Sequence, residues 1–528
     1  MSASSSSGTA ARSDLVTATP QRAVMLALIV SILAVVLIRT AWVCDDSYIT
    51  FRTVDNFVHG YGMRWNIDER VQSFTHPLWM FLMSAAYGLT GEPYFTSIAL
   101  SIALTLLTVV LLGWRVASAP GRMTVAALTL LYSRAFVDYS TSGLENALSH
   151  LLIVTFLIGY WGHRRGAART GVLALCAALL MLNRLDLGVL VVPALIGAAM
   201  DDRWRSAPAA VAGLLPLVAW EAFSLVYYGF PFPNTAYAKL GTGLTAADML
   251  PHGIAYLGES LRVDPVTLIA IVAGVVAGFH DRTRREWTLA VGVLAYLAYV
   301  VRIGGDFMSG RMLTAPLMVA VGLAAHSRWP RIAPARIAVA AGAATVLALT
   351  WALPAAPILS GREFGDVARH IPASGITDER AYYYRFTGLL LTTRLRQGPQ
   401  TDEPARVLKY RREGQSVVLR DAVGFFGFYA GPSMHVVDVF GLGDPLLARL
   451  PTGPGWRIGH YYRQVPAGYV ETLRNGANQI GDPSIAREYA TLAIITRDPL
   501  WSWERWRAIW RANVSRGSMN ERRILPAS

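Results

Sequence analysis

The chain has 528 residues, of which 53% are hydrophobic and only 16% are charged, and its formal net charge is +13. A soluble protein carries roughly a quarter charged residues, so this composition excludes a soluble globular protein. The positive charge does not indicate a nucleic-acid partner, because the basic residues fall in short segments between apolar runs, where membrane topology explains them.

Apolar runs long enough to cross ~30 Å of hydrocarbon recur through the first two thirds of the chain. The polar, low-complexity start over 1–21 is typical of a disordered tail. The run behind it is long, lacks a small-residue cleavage site and leads into further runs, which favours a first span over a signal peptide. We expect about eleven spans, near 22–41, 95–113, 122–135, 146–160, 171–183, 187–200, 208–228, 264–279, 287–302, 312–326 and 337–355.

Loops rich in Arg set the predicted orientation, because such loops stay on the cytoplasmic side of an inner membrane. These loops are 161–171, 201–205, 280–286 and 326–336. With a cytoplasmic N-terminus, the stretch 76–90 cannot cross fully, so we predict that it is re-entrant or lies along the interface. The extracytoplasmic face then receives the C-terminal segment and the loops 44–79, 133–148, 183–186, 227–240 and 302–311.

The remainder of the chain, 356–528, has shorter apolar runs and interspersed charges, which predicts a separate extracytoplasmic domain behind a membrane domain over 22–355. Strands are expected at 415–421, 434–444 and 489–498, with a helix at 422–430, so a small α/β fold is favoured. The GLGD turn within the second strand segment lacks the third glycine of a dinucleotide fingerprint.

Near the C-terminus, Trp503, Trp506 and Trp510 recur at helical spacing. Packing against the domain is the favoured interpretation of these side chains. Anchoring at the membrane interface is the second, and stacking on sugar is the third.

The stretch "CDDSYITFR" directly follows the first span and places Asp45 and Asp46 at the membrane surface. Two ordinary interpretations are that the pair marks the water interface or forms ion pairs with Arg52, Arg64 or Arg70. A partly desolvated carboxylate beside a cation also suits a general base or a nucleophile. The doubled acid followed by polar and aromatic residues favours a catalytic role.

Other polar side chains gather on the same predicted face. Convergent cations would bind a phosphate, for which Arg offers two parallel donors. Glu145 begins a predicted helix, where an acidic residue is ordinary, while Asp186 and Asp306 lie in tight turns. The candidate substrate-binding residues are Arg52, Arg64, Arg70, His76, Glu145, Arg184, Asp186, Asn234, Lys239, Asp306 and Arg311.

The sequence contains no His/Glu cluster at metal-ligand spacing, no nucleophile elbow and no P-loop. We therefore predict neither a metal nor a cofactor. Carboxylates and cations at the outer face of a membrane protein favour a substrate that is half lipid and half sugar phosphate. Since no nucleotide is present on that side, the energy for transfer must lie in the lipid-phosphate bond.

Several segments, taken in their order along the chain, resemble the terminal β-1,2-arabinofuranosyltransferases of mycobacteria and corynebacteria. These are membrane enzymes of the GT-C superfamily. The segments are "DDSYITFR", "GYGMRWNIDERVQSFTHPLW", "SGLENAL", "FPNTAYAK", "GGDFMSGR" and "DVFGLGDPLLARLP". The resemblance implies a GT-C fold, a decaprenyl-phosphate-arabinose donor, and an acceptor at the nonreducing ends of arabinan in arabinogalactan and lipoarabinomannan. It also implies that Asp45 and Asp46 occupy the place of the catalytic acidic motif.

The implied β donor and β product amount to net retention, which a single displacement with a general base would not give. Either one Asp of the pair attacks the anomeric carbon, or the phosphate departs on the face that the acceptor enters and helps to deprotonate it.

Two alternative functions remain open. One is a GT-C transferase of mannose or another pentose. The other is a flippase, which predicts mid-membrane polar residues and inverted repeats that the sequence does not contain.

Overall fold

The protein is described from a computed structural model, which covers residues 20–201, 204–327, 344, 348, 350–353, 356–360, 371–395 and 398–514. The first part of the chain consists of helices joined by loops. Its helices are α1 (Pro20–Thr40), α2 (Asp45–Val58), α3 (Pro77–Thr90), α4 (Pro93–Leu111), α5 (Pro120–Tyr132), α6 (Arg134–Tyr139), α7 (Asn146–Trp161), α8 (Gly166–Asn183), α9 (Gly188–Asp201), α10 (Ala207–Tyr227), α11 (Asn234–Leu240), α12 (Ala246–Val263), α13 (Pro265–His280), α14 (Arg284–Arg302) and α15 (Thr314–His326).

The predicted class of a polytopic helical membrane protein is confirmed. A helix covers each of the first ten predicted spans, with ends that differ by a few residues. Most of the eleventh, 337–355, lies outside the described residues. By length and composition, four described helices suffice to cross a membrane, or five if the pair α12 and α13, bent by 108°, forms one span. The total of about eleven spans therefore stays a prediction.

The helix α3 occupies the stretch that was predicted not to cross the membrane. Its 14 residues give a length of about 21 Å, which is less than the ~30 Å of the hydrocarbon core. It ends at Gly91, whose backbone is left-handed with φ of 68°. A re-entrant or interfacial placement of α3 stays a prediction.

Two long helices of the first part were not expected from the sequence, and the short helices α6 and α11 also lie in predicted loops. The predicted loop 44–79 begins with α2, so the twin acids lie in the first turn of a helix, where negative charge is favourable. Residues 246–263 form α12, which starts with a capping box between Thr245 and Asp248. The spacing of a Thr followed three residues later by an acid was a readable signal for that helix.

The C-terminal part contains one short parallel sheet within further helices. Strands β1 (Val417–Arg420) and β2 (His435–Asp438) pair in parallel, with Val418 opposite Val436. The helix between them confirms the prediction for 422–430. The helices are α16 (Glu379–Thr387), α17 (Leu389–Leu395), α18 (Glu403–Arg412), α19 (Gly424–Ala430), α20 (Tyr469–Asn475), α21 (Pro483–Arg497) and α22 (Trp503–Asn513).

The strand predicted at 489–498 is wrong, because these residues belong to α21. The Asp482 side chain caps that helix by accepting from the backbone N–H groups of Ser484 and Ile485, and Pro483 occupies its first position. This N-terminal chemistry outweighs the β-branched run near the end of the helix, which resembles a strand.

The C-terminal part shares a hydrophobic core with the loop after α1. Ile49 and Trp65 pack in one cluster with Val418, Phe426 and Val436. The indole of Trp65 also donates to the Val436 carbonyl at 3.1 Å. The proposed domain boundary at 356 stays a prediction, but the two parts are joined by a continuous buried interface.

We expect Gly424→Ala to damage this interface. A Cβ at Gly424 would lie 1.8 Å from the Asp45 carbonyl oxygen, which is backbone and cannot give way cheaply. Overpacking of this kind costs at least about 1–3 kcal/mol, so thermal unfolding of the purified protein should occur at a clearly lower temperature. Gly258→Ala is the matched control, because nothing lies within 4 Å of its Cβ position. Equal unfolding temperatures for the two variants would contradict the interface.

Candidate active site

Most of the predicted outer loops meet at one end of the helix bundle, which we call the site face. Cys44 donates its backbone N–H to the Ser142 carbonyl at 3.1 Å, and the Trp42 indole donates to the Asp138 carbonyl at 2.7 Å. The loop 302–311 joins them through Arg311, which lies 3.1 Å from Glu145. The site face thus gathers the loops 41–79, 133–148, 183–186, 227–240 and 302–311.

The two adjacent acids have different environments. The Asp45 carboxylate accepts the backbone N–H groups of Gly424 at 2.9 Å and of Phe425 at 2.8 Å, at the start of α19. Its oxygens therefore hold the C-terminal part in place. Burial, opposed by these hydrogen bonds and reinforced by Asp46, raises the pKa of Asp45 to about 7.

Asp46 points elsewhere, because successive side chains on a helix differ by about 100°. It is partly exposed, and none of the described residues makes a hydrogen bond to its carboxylate. Burial raises the pKa of Asp46. The positive charges of Lys239 and Arg311 lower this pKa, and the negative charges of Asp306 and Glu145 raise it further. Asp46 is thus a carboxylate without a structural partner, facing charged groups of both signs.

Glu145 is the centre of the charged groups beneath Asp46. Its side chain is fully buried, and its oxygens lie 3.1 Å from Arg311, 3.4 Å from His76 Nδ1 and 3.6 Å from Arg184. Burial alone would raise the pKa of Glu145, but Arg311, His76 and Arg184 hold it at about 2. This carboxylate neutralises the surrounding cations and orients Arg311.

Most of the neighbouring polar groups are held by one another. His76 Nε2 lies 2.7 Å from the Thr50 hydroxyl, and burial lowers the pKa of this imidazole to about 4. Arg184 donates twice to Asp186, at 3.0 and 2.6 Å, and Asp186 also accepts from a tyrosine of α14. Such double pairing fixes Arg184 and leaves it few donors for a substrate.

The loop 302–311 supplies Asp306 and Arg311, whose charged groups are 3.7 Å apart. Gly305 has a left-handed φ of 75°, and its Cβ position lies 2.6 Å from the Tyr256 side chain. Only glycine allows the chain to turn this close to α12. The turn therefore presents Asp306 and Arg311 together toward Asp46.

Four predicted substrate-binding residues have structural roles instead. Arg52 is 1% exposed and donates to the carbonyls of Trp65, Gly427 and Met434. Because its donors are consumed by backbone oxygens inside the interface, none faces the site.

Asn234, Arg70 and Arg64 also serve the fold. The Asn234 amide donates to the carbonyls of Gly441 and Asp444, at 2.8 and 3.0 Å. Arg70 donates to the Asp498 carbonyl at the end of α21. Arg64 donates to the Tyr227 hydroxyl at 3.1 Å and to a carbonyl of its own loop. These side chains connect the loop 44–79 or α11 to other segments.

The structure adds two residues that the sequence did not indicate. Glu379, at the start of α16, is buried, and burial together with the charges of Asp46 and Asp306 raises its pKa well above the usual range, against the effect of Arg457. Arg457 Nη1 is buried with no hydrogen-bond partner among the described residues. Both come from the C-terminal part, which no local motif connects with Asp46.

The site has no evident metal centre in the part of the chain that is described. There, no three His, Cys, Asp or Glu side chains are grouped so that they could hold a metal ion. Asp46, Asp306 and Glu379 instead lie among Lys239, Arg311 and Arg457, which provide the opposite charge. The chemistry available at the site face is that of carboxylates beside fixed cations.

The sequence of the chain is similar to those of two known enzymes. The chain is 28% identical over 514 residues to the terminal beta-(1→2)-arabinofuranosyltransferase of Mycobacterium tuberculosis, covering 79% of this chain and 80% of that protein. The chain resembles the terminal arabinofuranosyltransferases. The enzyme of the same name from Corynebacterium glutamicum is 26% identical over 520 residues, covering 79% of this chain and 72% of that one. The resemblance predicted from the sequence segments is confirmed.

Solved structures show weaker likeness. ArnT from Cupriavidus metallidurans bound to undecaprenyl phosphate is 14% identical with a TM-score of 0.42, covering 81% of this chain and 77% of its own. The archaeal oligosaccharyltransferase AglB from Archaeoglobus fulgidus, in complex with an inhibitory peptide and a dolichol-phosphate, is 11% identical with a TM-score of 0.46, covering 80% and 65%. No protein-family model matches the chain.

Proposed function

We propose that this chain is a GT-C membrane glycosyltransferase. It moves arabinofuranose from decaprenyl-phosphate-arabinose to the nonreducing ends of arabinan in arabinogalactan and lipoarabinomannan, making the terminal β-1,2 linkage on the extracytoplasmic face of the cell membrane. One observation carries the proposal: in a chain 28% identical to a terminal arabinofuranosyltransferase, the Asp46 carboxylate lies near cations and accepts no hydrogen bond from any described residue.

Asp46 is the reacting carboxylate of the pair. Asp45 is occupied by two backbone N–H groups, so its participation would release α19. Lys239 and Arg311 favour the ionised form of Asp46, which is the form that a base or nucleophile requires.

The phosphate of the donor would lie beside the cations of the site face. Lys239 is exposed, and Arg457 has a buried donor without a partner among the described residues. Arg311 is oriented by Glu145. Held donors such as those of Arg311 and Arg457 stabilise the charge that develops on a departing phosphate without reorganising.

In the reaction, the bond from the anomeric carbon to the phosphate oxygen breaks, and its electron pair leaves with the phosphate. A new bond forms from that carbon to the acceptor hydroxyl oxygen, whose proton must be taken up. With retention, either Asp46 attacks the anomeric carbon first and the acceptor then displaces it, its proton passing to the departed phosphate, or the departing phosphate takes the proton in a single step on the same face. Trapping of a glycosyl-Asp46 adduct, read by peptide mass spectrometry, distinguishes the first route from the second.

Glu379 has the complementary character. Its raised pKa favours the protonated form, in which the carboxyl can donate a hydrogen bond to a sugar oxygen. Asp46 lies beside the cations Lys239 and Arg311, whereas Glu379 lies beside the acids Asp46 and Asp306. These different surroundings suit an acceptor role for Asp46 and a donor role for Glu379. Because Glu379 comes from the C-terminal part, that part would orient the acceptor.

The dependence of activity on pH tests the charges around Asp46. The rate falls as pH drops through the pKa of the ionised base. Lys239→Met removes a charge that lowers this pKa, so the acid limb of kcat/KM should move to higher pH. Asp306→Asn removes a charge that raises it, so the limb should move to lower pH. Lys409→Met is the control, because Lys409 is an exposed lysine of α18.

Shifts of the two variants in the same direction would contradict this assignment, as would a shift in the control as large as that of Lys239→Met. The measurement uses the full chain in lipid nanodiscs, because removing 356–528 would expose the core shared with Ile49 and Trp65. Acceptor orientation is therefore tested with a point variant, Glu379→Ala, which should raise the KM for acceptor more than that for donor.

A further inference from the structure

The helix α22 carries an exposed apolar stripe that the proposed reaction does not use. Its buried face consists of Arg505, Ala508, Ile509 and Ala512. On the opposite face, Trp503 is 67% exposed and Trp510 is 64% exposed, and Val514 continues the stripe at 56%. The favoured packing interpretation is therefore wrong for Trp503 and Trp510, and only Trp506 packs against the core.

The position of α22 is fixed at the end of a membrane helix. Arg505 donates to the carbonyl of Tyr227, the last residue of α10, at 3.0 Å. The Asn513 amide donates to the Gly229 carbonyl at 2.9 Å. Gly229 has a left-handed φ of 83°, and its Cβ position would lie 2.3 Å from Ile495. The helix α22, which carries the stripe, is thus held against the end of α10.

The helix α10 is the most lipid-exposed of the long apolar helices described, with 6% of its most apolar window buried in the protein. Its end on the site face carries an aromatic cluster. Trp220 lies 5.3 Å from Phe223 and 5.8 Å from Phe81, and Phe223 stacks on Tyr227 at 5.2 Å, between ring centroids. Aromatic side chains concentrate at the level of lipid headgroups, so α22 lies beside that level.

We propose that the stripe formed by Trp503, Trp510 and Val514 inserts into the headgroup region of the leaflet on the site face and ties the C-terminal part to the bilayer. Tryptophan suits this depth, because its ring is apolar and its N–H can meet a polar headgroup. Arg507, whose guanidinium lies 5.2 Å from the Trp503 ring centre, provides a cation for lipid phosphate. An amphipathic helix of this type lies in the interface plane.

The test places a polarity-sensitive fluorophore on the stripe of the full chain in nanodiscs. Trp503→Cys and Trp510→Cys are labelled one at a time, since the native Cys44 and Cys176 are buried. Nanodiscs are made with and without phospholipid carrying a spin-label quencher near the headgroup. Ala222→Cys, on the exposed face of α10 within the aromatic cluster, is the positive control, and Leu408→Cys on α18 is the negative control; both positions are exposed.

We expect quenching at 503 and 510 to approach that at 222, with none at 408. Quenching at 503 and 510 as low as at 408 would overturn the proposal. A change of emission on adding soluble arabinan oligosaccharide, together with no quenching by lipid, would also overturn the proposal. That result would assign the stripe to sugar stacking. As a second measurement without labels, Trp503→Ser/Trp510→Ser should lose part of the tryptophan quenching by brominated lipid, and an unchanged value would contradict insertion.

Discussion

Asp46→Asn is expected to reduce sugar transfer by on the order of 10²–10⁴-fold, the contribution of a positioned base. The reason is that Asp46 is the acid of the pair without a structural partner among the described residues, while Lys239 and Arg311 favour its ionised form. Asparagine keeps the size of the side chain but takes up neither a proton nor an anomeric carbon. The variant should unfold at the same temperature as the native protein and still bind donor.

Asp45→Asn is the matched variant and should behave differently. The Asp45 carboxylate accepts two backbone N–H groups of α19, and an amide presents one acceptor and one donor to them. A buried group left without its partner costs about 1–3 kcal/mol, so the main effect should be a lower unfolding temperature. Full activity of Asp46→Asn, with loss confined to Asp45→Asn, would reverse the assignment.

Glu145→Gln should produce the largest loss of stability among single changes at the site face. Glu145 neutralises Arg311 and Arg184 while fully buried, and it also lies 3.4 Å from His76. Removing one partner of a buried ionic group costs about 3–5 kcal/mol, since the remaining charges stay uncompensated. We expect a strongly lowered unfolding temperature together with loss of transfer, because Arg311 is no longer oriented.

Glu413→Gln provides the control of the same chemistry at the surface. Glu413 lies 3.9 Å from Lys409, whose side chain is 74% exposed. Such pairs contribute about 0–1 kcal/mol, so this variant should be indistinguishable from the native protein. A Glu145→Gln variant as stable as Glu413→Gln would mean that the buried charges are not held as described.

The sequence was sufficient to predict the membrane helices and the face on which the polar loops gather. Long apolar runs and Arg-rich loops are local signals, and the helices found at 93–111, 207–227 and 284–302 follow them closely. The twin acids were likewise visible as an unusual local pair. The capping box at Thr245 was equally local, and it would have revealed α12.

The division of roles at the site could not be predicted, because it depends on contacts between distant parts of the chain. Asp45 is distinguished from Asp46 by its hydrogen bonds from Gly424 and Phe425, which lie 379 and 380 residues further along from Asp45. From the sequence, Arg52 was a candidate phosphate ligand, but in the structure its guanidinium donates to carbonyl groups of the C-terminal part. No sequence motif marks Glu379 as a site residue, because the charged groups around it come mostly from other segments of the chain.

The most direct test of the account is a transfer assay with the full chain in nanodiscs. The donors are decaprenyl-phosphate-arabinose with radiolabelled sugar and, in parallel, the corresponding mannose lipid, and the acceptor is a synthetic arabinan oligosaccharide. The account predicts that the native protein adds arabinofuranose at the nonreducing end through a β-1,2 linkage, identified by NMR, and that Asp46→Asn does not. Transfer of mannose in place of arabinose, or no transfer by a correctly folded native protein, would contradict it.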